Sequence, residues 1–337
     1  MDLTVIWVAL ASLGGLGLLM VGILVVANLK LSVKPNPLEE KILNALPGAN
    51  CGGCGYPGCE AYAAAVARGD APPDACPVGG SSLAEKIGEI MGVEVGGGEP
   101  KVAFLLCQGG NDIVAQSADY HGIRTCRAAN LLGGGTKACP YGCLGFGDCC
   151  EVCPFDAIHM GPEGLPVVDR EKCTGCGNCI RACPKNILKL IPVSKQVYLA
   201  CASHEKGKGV RDVCKKGCHA CSICVRMCPY DALKMVDNLP VMDFAKCTDC
   251  GICYAKCPVK PSCYVDFTLP RPKAEIEPSK CDGSHACVEA CKFKAIEGEK
   301  GEIHKVIPEK CVGCGECVKA CPTGACIQPV RAKVTAA

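Results

Sequence analysis

The chain has 337 residues, of which 34 are cysteines and only 4% are aromatic, and its formal net charge is +2. About one residue in ten being cysteine is typical of disulfide scaffolds or metal-rich proteins, and disulfide scaffolds are short secreted domains. The length therefore excludes a disulfide scaffold, and the near-neutral charge gives no indication of nucleic-acid binding. The scarcity of aromatic residues predicts small hydrophobic cores whose stability depends on bound metal.

The amino-terminal segment predicts a single membrane-spanning helix. No charged residue occurs from Leu3 to Leu29, and these 27 positions exceed the length needed to cross a bilayer. The alternative, a cleaved signal peptide, is disfavoured by the acidic start "MDLTVIW", the length and the lack of an A-x-A site. Lys30 and Lys34 follow the helix and Asp2 precedes it, which predicts a cell-membrane protein with its large carboxyl-terminal part in the cytoplasm. That compartment is reducing and favours metal thiolates over disulfides.

The remaining sequence predicts an α+β architecture in which a small helical 4Fe-4S domain is followed by tandem two-cluster ferredoxin-like modules. The helical domain contains "CGGCGYPGC" and ends before the flexible "VEVGGGEP". The predicted organisation is 1–34 for the transmembrane helix and juxtamembrane connector, 35–95 for the amino-terminal 4Fe-4S domain, 101–192 for a cysteine-rich segment plus the first ferredoxin-like module, 193–266 for the second module, and 272–330 for the third.

Each module consists of two halves, and the second half always has the spacing C-x2-C-x2-C-x3-C. These runs are Cys173, Cys176, Cys179, Cys183; Cys247, Cys250, Cys253, Cys257; and Cys311, Cys314, Cys317, Cys321. The first halves have Cys143, Phe146, Cys149, Cys153; Cys218, Cys221, Cys224, Cys228; and Cys281, Ser284, Cys287, Cys291. Only the middle module is complete in both halves.

The spacing predicts which cysteines share a cluster. In two-cluster ferredoxins, three thiolates of one run bind one cluster and the fourth cysteine binds the other cluster. The complete quartets are therefore Cys51, Cys54, Cys59 and Cys76; Cys173, Cys176, Cys179 and Cys153; Cys218, Cys221, Cys224 and Cys257; Cys247, Cys250, Cys253 and Cys228; and Cys311, Cys314, Cys317 and Cys291. These five quartets predict five 4Fe-4S clusters. Structural zinc is the alternative, but zinc ribbons need neither the third closely spaced cysteine nor the proline that follows most of the runs.

Phe146 cannot bind iron, so the first half of the first module needs ligands from elsewhere. Nine thiols are available to complete two clusters: Cys107, Cys126, Cys139, Cys143, Cys149, Cys150, Cys183, Cys201 and Cys214. The preferred division assigns Cys107, Cys126, Cys139 and Cys143 to one cluster and Cys149, Cys183, Cys201 and Cys214 to the other, which leaves Cys150 unused. The alternative is that these are buried thiols of a module without a cluster.

Ser284 creates the same problem in the third module. A hydroxyl is a harder ligand than a thiolate. Cys281, Cys287 and Cys321 therefore hold a 3Fe-4S cluster, recruit Cys326, or hold nothing. Cys263 and Cys326 are otherwise interpreted as packing residues, and His219 and His285 as neighbours of the cluster loops. The total is at least five and up to eight clusters.

The combination of one amino-terminal helix, "CGGCGYPGC" closed by Cys76, "YGCLGFGDC" and tandem ferredoxin modules resembles the B subunit of the Rnf complex, in its long polyferredoxin form. The resemblance covers nearly the whole chain. It implies an electron-transfer subunit of a membrane-bound, ion-pumping ferredoxin:NAD oxidoreductase, which accepts electrons from soluble ferredoxin. It also implies that flavin and NAD sites belong to other membrane and flavin-bearing subunits of the complex.

The chain has no G-x-G-x-x-G after a strand and no Walker loop, so we expect no substrate-converting site on it. One alternative function is a membrane-tethered polyferredoxin that serves a hydrogenase or another reductase. A second is a zinc-stabilised scaffold with no redox role.

Overall fold

A computed structural model of the chain describes residues 3–31, 36–96, 98–131, 133–268 and 271–328. Asp2, Lys34 and most of the predicted juxtamembrane connector, residues 32–35, lie outside these ranges, as do the last two residues of the predicted third module, 329 and 330. Helix α1 spans Leu3–Leu31. Its stretch Leu10–Lys30 has a mean hydropathy of 2.4 and is not buried against the rest of the protein, so this helix is long and apolar enough to cross a membrane.

The amino-terminal domain is a three-helix unit built around a small apolar core. Its helices are α2 (Pro37–Ala45), α3 (Cys59–Arg68) and α4 (Gly80–Met91). Asn36 begins α2 by accepting a hydrogen bond from the Leu38 amide, and Gly69 ends α3 in the left-handed conformation that glycine adopts without strain. The core includes Ile42, Tyr62 and Ile87, which are almost fully buried, and the cysteine sulfurs pack at its edge.

Three modules of the same topology follow. Each has an outer antiparallel pair made of its first and last strands, an inner hairpin, and one short cysteine-bearing helix in each half. The outer pairs are β1 (Lys101–Leu105) with β4 (Leu188–Pro192), β5 (Val197–Leu199) with β8 (Tyr264–Asp266), and β9 (Glu275–Ile276) with β12 (Cys326–Ile327). The inner hairpins are β2 (Ile158–Met160) with β3 (Pro166–Val168), β6 (Leu233–Val236) with β7 (Leu239–Met242), and β10 (Ile296–Glu297) with β11 (Lys305–Val306).

The module helices are only about one turn long. They are α6 (Asp148–Glu151) and α7 (Asn178–Ala182), α9 (Ile223–Arg226) and α10 (Ile252–Ala255), and α11 (Ala286–Ala290) and α12 (Glu316–Ala320). Two further short helices precede the first cysteine-bearing helix of their modules: α5 (Cys126–Leu131) lies between β1 and α6, and α8 (Lys208–Arg211) lies between β5 and α9. Mixed short helices and two-stranded sheets agree with the predicted α+β class, and the cores of the modules consist in large part of cysteine side chains.

A cluster of aromatic side chains joins the first and second modules. Phe104 on β1 packs against Tyr198 on β5, with ring centroids 5.1 Å apart, and edge-on against Phe267. The guanidinium of Arg170 lies 4.4 Å from the centre of the Phe267 ring. The chain has few aromatic residues, and several of them are concentrated here. Their large side chains form an apolar contact between two modules whose own cores are small.

The stability of the amino-terminal domain depends in part on one buried hydroxyl. Tyr62 is 1% exposed, and its hydroxyl donates a 2.8 Å hydrogen bond to the Pro72 carbonyl. We expect Tyr62→Phe to leave that carbonyl without its partner and to destabilise the domain by about 1 kcal/mol. Hydrogen–deuterium exchange on the full chain measures this as faster exchange in α3. The matched control is Tyr120→Phe, which removes a 3.0 Å hydroxyl bond to Ile123 at a less buried site and should leave α3 unchanged.

Candidate iron–sulfur sites

In the three modules, each cysteine loop turns through a left-handed residue immediately before its helix. The residue after the second ligand position is Gly147, Gly177, Ser222, Gly251, His285 or Gly315, with φ between +58° and +86°. Glycine suits this conformation because it lacks Cβ. The turn brings the third cysteine onto the buried face of the helix, as for Cys179 and Cys253. The repeated spacing therefore encodes a repeated backbone turn.

The structure brings together the thiols that the sequence groups into complete quartets. Cys153 lines one cavity with Cys173, Cys176 and Cys179, and Cys257 lines another with Cys218, Cys221 and Cys224. In two other quartets, the thiols are close enough for the charge of one to raise the pKa of another. Burial raises the pKa of Cys250, and the neighbouring charge of Cys228 raises it further. Burial likewise raises the pKa of Cys317 to about 11, and the charges of Cys314, Cys311 and Cys291 add to the effect.

The amino-terminal quartet follows the same pattern. Burial raises the pKa of Cys76, and the charges of Cys54 and Cys51 raise it further, so these three thiols are neighbours. The backbone amide of Cys59 donates a 2.8 Å hydrogen bond to the Asn50 side chain, which fixes the start of α3 next to the loop of Cys51 and Cys54.

In the half-module that has Phe146, Cys126 lies with three other thiols. One apolar cavity is lined by Cys126, Cys143, Cys149 and Cys183. Asp148 accepts hydrogen bonds from the backbone amides of Cys126 and Arg127, at 2.7 Å and 3.1 Å, and so anchors the start of α5 beside the loop. The Phe146 ring is in contact with Tyr120, with centroids 5.3 Å apart. A cysteine upstream of the loop thus lies beside the three thiols of this cavity.

A second cavity gathers the other thiols of the pool. Its volume is about 240 Å³, and its lining includes Cys107, Cys139, Cys201 and Cys214 from four different loops. The structure groups these thiols differently from the sequence-based division: Cys126 and Cys143 lie with Cys149 and Cys183, whereas Cys201 and Cys214 lie with Cys107 and Cys139. The spacing could not show this, because these thiols come from separate loops. Cys150 lies outside both cavities.

A buried lysine lines the second cavity. The side chain of Lys137 donates a 2.8 Å hydrogen bond to the Gly109 carbonyl, and the residue is 7% exposed. Burial raises the pKa of Cys143 to about 12 and also raises that of Cys214, while the Lys137 ammonium lowers both pKa values. A positive charge at this point stabilises anionic sulfur on both sides of it.

The donor set fits iron–sulfur clusters. Burial raises the pKa values of Cys179 and Cys201 to about 12, so anionic sulfur at these places needs a bound metal to compensate the lost hydration. Backbone amides also point at thiol sulfurs. Ala103 donates to Cys173 at 3.4 Å, Gly109 to Cys107 at 3.3 Å, Cys218 to Cys201 at 3.3 Å, Ala232 to Cys228 at 3.4 Å, and Ala295 to Cys291 at 3.3 Å. Such N–H···S bonds favour thiolate ligands and set cluster potentials. Among the described residues, no three His, Cys, Asp or Glu side chains are grouped tightly enough for a single metal ion.

Neighbouring sites adjoin each other in one continuous series along the chain. The Gly53 backbone lies against that of Cys176, where an added Cβ would come within 3.0 Å of the Cys176 carbonyl oxygen. The sulfur of Cys107 accepts a 3.5 Å hydrogen bond from the Cys143 amide, which links the two cavities of the pool. Cys149 and Cys179 lie in one buried cluster, which joins the two groups of the first module. Further links are the hydrogen bond from the Cys218 amide to the Cys201 sulfur, the nearness of Cys224 to Cys253, and that of Cys314 to Cys250. The series begins at the amino-terminal quartet and ends in the third module.

Two thiols interpreted as packing residues are buried beside these groups. Cys263 and Cys326 are each 2% exposed. The Cys263 sulfur lies 3.5 Å from that of Cys257, and Cys326 lies in the same buried cluster as Cys287. One further residue, His304, is buried next to Cys281, a contact that the sequence did not predict.

Family models for iron–sulfur proteins match four segments of the chain. A model described as a putative Fe-S cluster matches residues 46–78, a 4Fe-4S binding domain matches 166–189, and two 4Fe-4S dicluster domains match 239–292 and 270–325. These segments cover the amino-terminal quartet and parts of all three modules.

Comparison with known proteins identifies the family. The chain is 44% identical over 258 residues to the B subunit of the Na⁺-translocating ferredoxin:NAD⁺ oxidoreductase complex of Acetobacterium woodii, an alignment that covers 76% of this chain and 77% of the relative. The chain belongs to the family of B subunits of ion-translocating oxidoreductase complexes. It is also 44% identical to the corresponding B subunit of Methanosarcina acetivorans, over 75% of this chain and 96% of the relative. The B subunit of a proton-translocating complex from Clostridium ljungdahlii is 44% identical over 72% of this chain and 87% of its own length.

In this B subunit, we expect opposite results from the substitution of Cys126 and of Cys150. We expect Cys126→Ala to lose about four iron atoms per chain, because a four-iron cluster needs four protein ligands. Cys150→Ala is the matched control: it lies in the same region but outside both cavities, and it should keep the native iron content. Iron and acid-labile sulfide analysis of anaerobically purified full chain measures both. Loss of iron in Cys150→Ala with retention in Cys126→Ala would reverse the assignment.

Proposed function

We propose that this chain relays single electrons from reduced ferredoxin, through a series of 4Fe-4S clusters, to the membrane subunits of an ion-translocating ferredoxin:NAD oxidoreductase. The observation that carries the proposal is the continuous series of cysteine groups, in which each group adjoins the next. When bound, a 4Fe-4S cluster takes up and releases one electron. The protein contributes thiolate ligands, amide donors to sulfur, and short separations between neighbouring groups.

We assign the ligands according to their grouping in the fold. The five complete quartets hold five clusters. Cys126, Cys143, Cys149 and Cys183 hold a sixth, and Cys107, Cys139, Cys201 and Cys214 hold a seventh. The first half of the third module, with Cys281, Cys287 and Cys321, is the eighth position. We propose the same domain boundaries as the sequence predicts. One site then crosses a boundary, because Cys201 and Cys214 belong to the second module whereas Cys107 and Cys139 precede it in the segment of the first.

The amino-terminal quartet is proposed as the exit toward the membrane. It is the group nearest in sequence to α1, which we propose as a single membrane anchor with the carboxyl-terminal part in the cytoplasm. The opposite end of the series lies in the third module, which is therefore the proposed region of entry for electrons from soluble ferredoxin. Other membrane and flavin-bearing subunits of the complex are the proposed acceptors, and no nucleic acid is involved.

Two alternative functions lead to different observations. A polyferredoxin that serves a hydrogenase would have the same modules but no need for the quartet beside the membrane helix, and it would not co-purify with flavin-bearing membrane subunits. A zinc-stabilised scaffold would contain stoichiometric zinc, whereas Cys153, Cys173, Cys176 and Cys179 have the three-plus-one arrangement of a cubane cluster.

Interrupting the series at its membrane end tests the proposal. In the intact complex, we expect Cys76→Ser to reduce ferredoxin-dependent NAD reduction to background, because the amino-terminal site is the proposed exit of the series. The remaining clusters should still be reduced by ferredoxin, which electron paramagnetic resonance (EPR) detects. Cys150→Ser is the matched control and should keep both properties. Full NAD reduction by a Cys76→Ser complex that has lost the amino-terminal cluster would contradict the proposed path.

A further inference from the structure

The inner hairpin of the third module differs from the other two at one position. In the first module Ile158 pairs with Val168, and in the second Leu233 pairs with Met242. Two residues before these partners are Pro166 and Pro240, and each proline lines the cavity of the first-half thiols of its module. In the third module Ile296 pairs with Val306, so the equivalent residue is His304. A histidine thus replaces proline in the one module whose first half has Ser284 in place of cysteine.

The His304 side chain faces the thiols of this half-module. The residue is 3% exposed, and its Nδ1 lies 3.7 Å from the sulfur of Cys281. Its other ring nitrogen, Nε2, lies 3.1 Å from Nδ1 of His285. Metal-binding imidazoles characteristically have one nitrogen at the metal and the other in a hydrogen bond that fixes the ring. In His304, Nδ1 faces the thiol of Cys281 and Nε2 is within hydrogen-bond distance of His285, which is compatible with this arrangement. His285 directly follows Ser284 in the cysteine loop.

The loop before His304 holds the imidazole in place. The Gly301 amide donates a 2.9 Å hydrogen bond to the Gly283 carbonyl, so the hairpin loop lies directly on the cysteine loop. At Gly298 an added Cβ would be 2.7 Å from Cδ2 of His304, which shows how closely the backbone surrounds the ring. The surrounding backbone therefore confines the His304 ring, which has little freedom to turn toward solvent.

Three thiols complete the surroundings. Burial raises the pKa of Cys287, and the charges of Cys321 and Cys281 raise it further, so the three cysteines are neighbours. Ser284 itself is exposed. Cys326 is the competing fourth ligand, but it follows Cys321 by five residues, as the core residues Ile158, Leu188, Leu233 and Ile296 follow Cys153, Cys183, Cys228 and Cys291. Its place is that of an apolar packing residue.

We propose that Cys281, Cys287, Cys321 and His304 hold the eighth cluster, with the His304 imidazole in place of the thiolate missing at Ser284 and with His285 as its positioning residue. The inference rests on the proposed iron–sulfur function of the chain. A neutral imidazole gives the site one negative charge fewer than four thiolates, and replacement of cysteine by histidine raises the potential of iron–sulfur centres. This terminal site then accepts an electron more readily than the all-cysteine sites.

The test is pulsed EPR on the anaerobically purified full chain, reduced and labelled with ¹⁵N-histidine. We expect a histidine ¹⁵N coupling to one reduced cluster. It should disappear in His304→Pro, which installs the residue of the other two modules, and in His304→Gln. Both variants should lose iron and show a three-iron signal when oxidised. The matched control is His219→Ala, in the first-half loop of the complete second module, which should keep the coupling. Adding Ser284→Cys to His304→Pro should restore iron without a histidine coupling.

Several outcomes would overturn the assignment. These are the absence of histidine coupling in the native chain, its persistence in both His304 variants, or loss of iron in Cys326→Ala but in neither His304 variant. In each case the all-cysteine sites keep their iron and their EPR signals if the relay function is correct. Failure of the histidine assignment is therefore distinct from failure of the proposed function, in which those signals would also be missing.

Discussion

The exchange of the fourth cysteine between the two halves of a module is the constraint on which the structure depends. Because Cys153 lies with Cys173, Cys176 and Cys179, and Cys257 lies with Cys218, Cys221 and Cys224, each half is incomplete without the other. This requirement holds two short helices and two small sheets together, although neither sheet has more than two strands. Apolar packing alone would be weak here, since cysteines make up much of the cores.

The same constraint places neighbouring sites close together, both within and between modules. At the junction of the second and third modules, the Lys292 ammonium lies 4.7 Å from the centre of the Tyr230 ring and donates a 3.2 Å hydrogen bond to the Pro229 carbonyl. Lys292 follows Cys291, where the other runs have proline. The lysine in place of proline thus provides a contact between the two modules. Cys250 and Cys314, one from each module, are also close to each other, since the charge of Cys314 raises the pKa of Cys250. Contacts of this kind between neighbouring modules keep their cysteine groups next to each other.

The sequence predicted the α+β class, the apolar helix and the groups formed by regular spacing, because a fixed spacing produces a fixed turn, as at Gly177 and Gly251. It did not predict which thiols from unrelated loops lie together. The cysteine spacing does not show that Asp148 holds Cys126 beside the loop of Phe146 through a hydrogen bond to the Cys126 amide. It also does not show that Cys201 and Cys107 line the same cavity. The place of His304 beside Cys281 was not predicted for a similar reason, since only the strand register aligns His304 with Pro166 and Pro240. Long-range convergence needs the fold, whereas local turns do not.

The central claim is that thiols from separate loops hold a series of iron–sulfur clusters, and the iron content of the full chain tests it most directly. Mössbauer spectroscopy with iron and acid-labile sulfide analysis, on anaerobically purified ⁵⁷Fe-enriched protein, measures the number and type of clusters. The account predicts at least about 28 iron atoms per chain, from seven all-cysteine four-iron sites, with spectra of 4Fe-4S clusters. About 20 iron atoms or fewer, which the five regular quartets alone would hold, or stoichiometric zinc in their place, would contradict it.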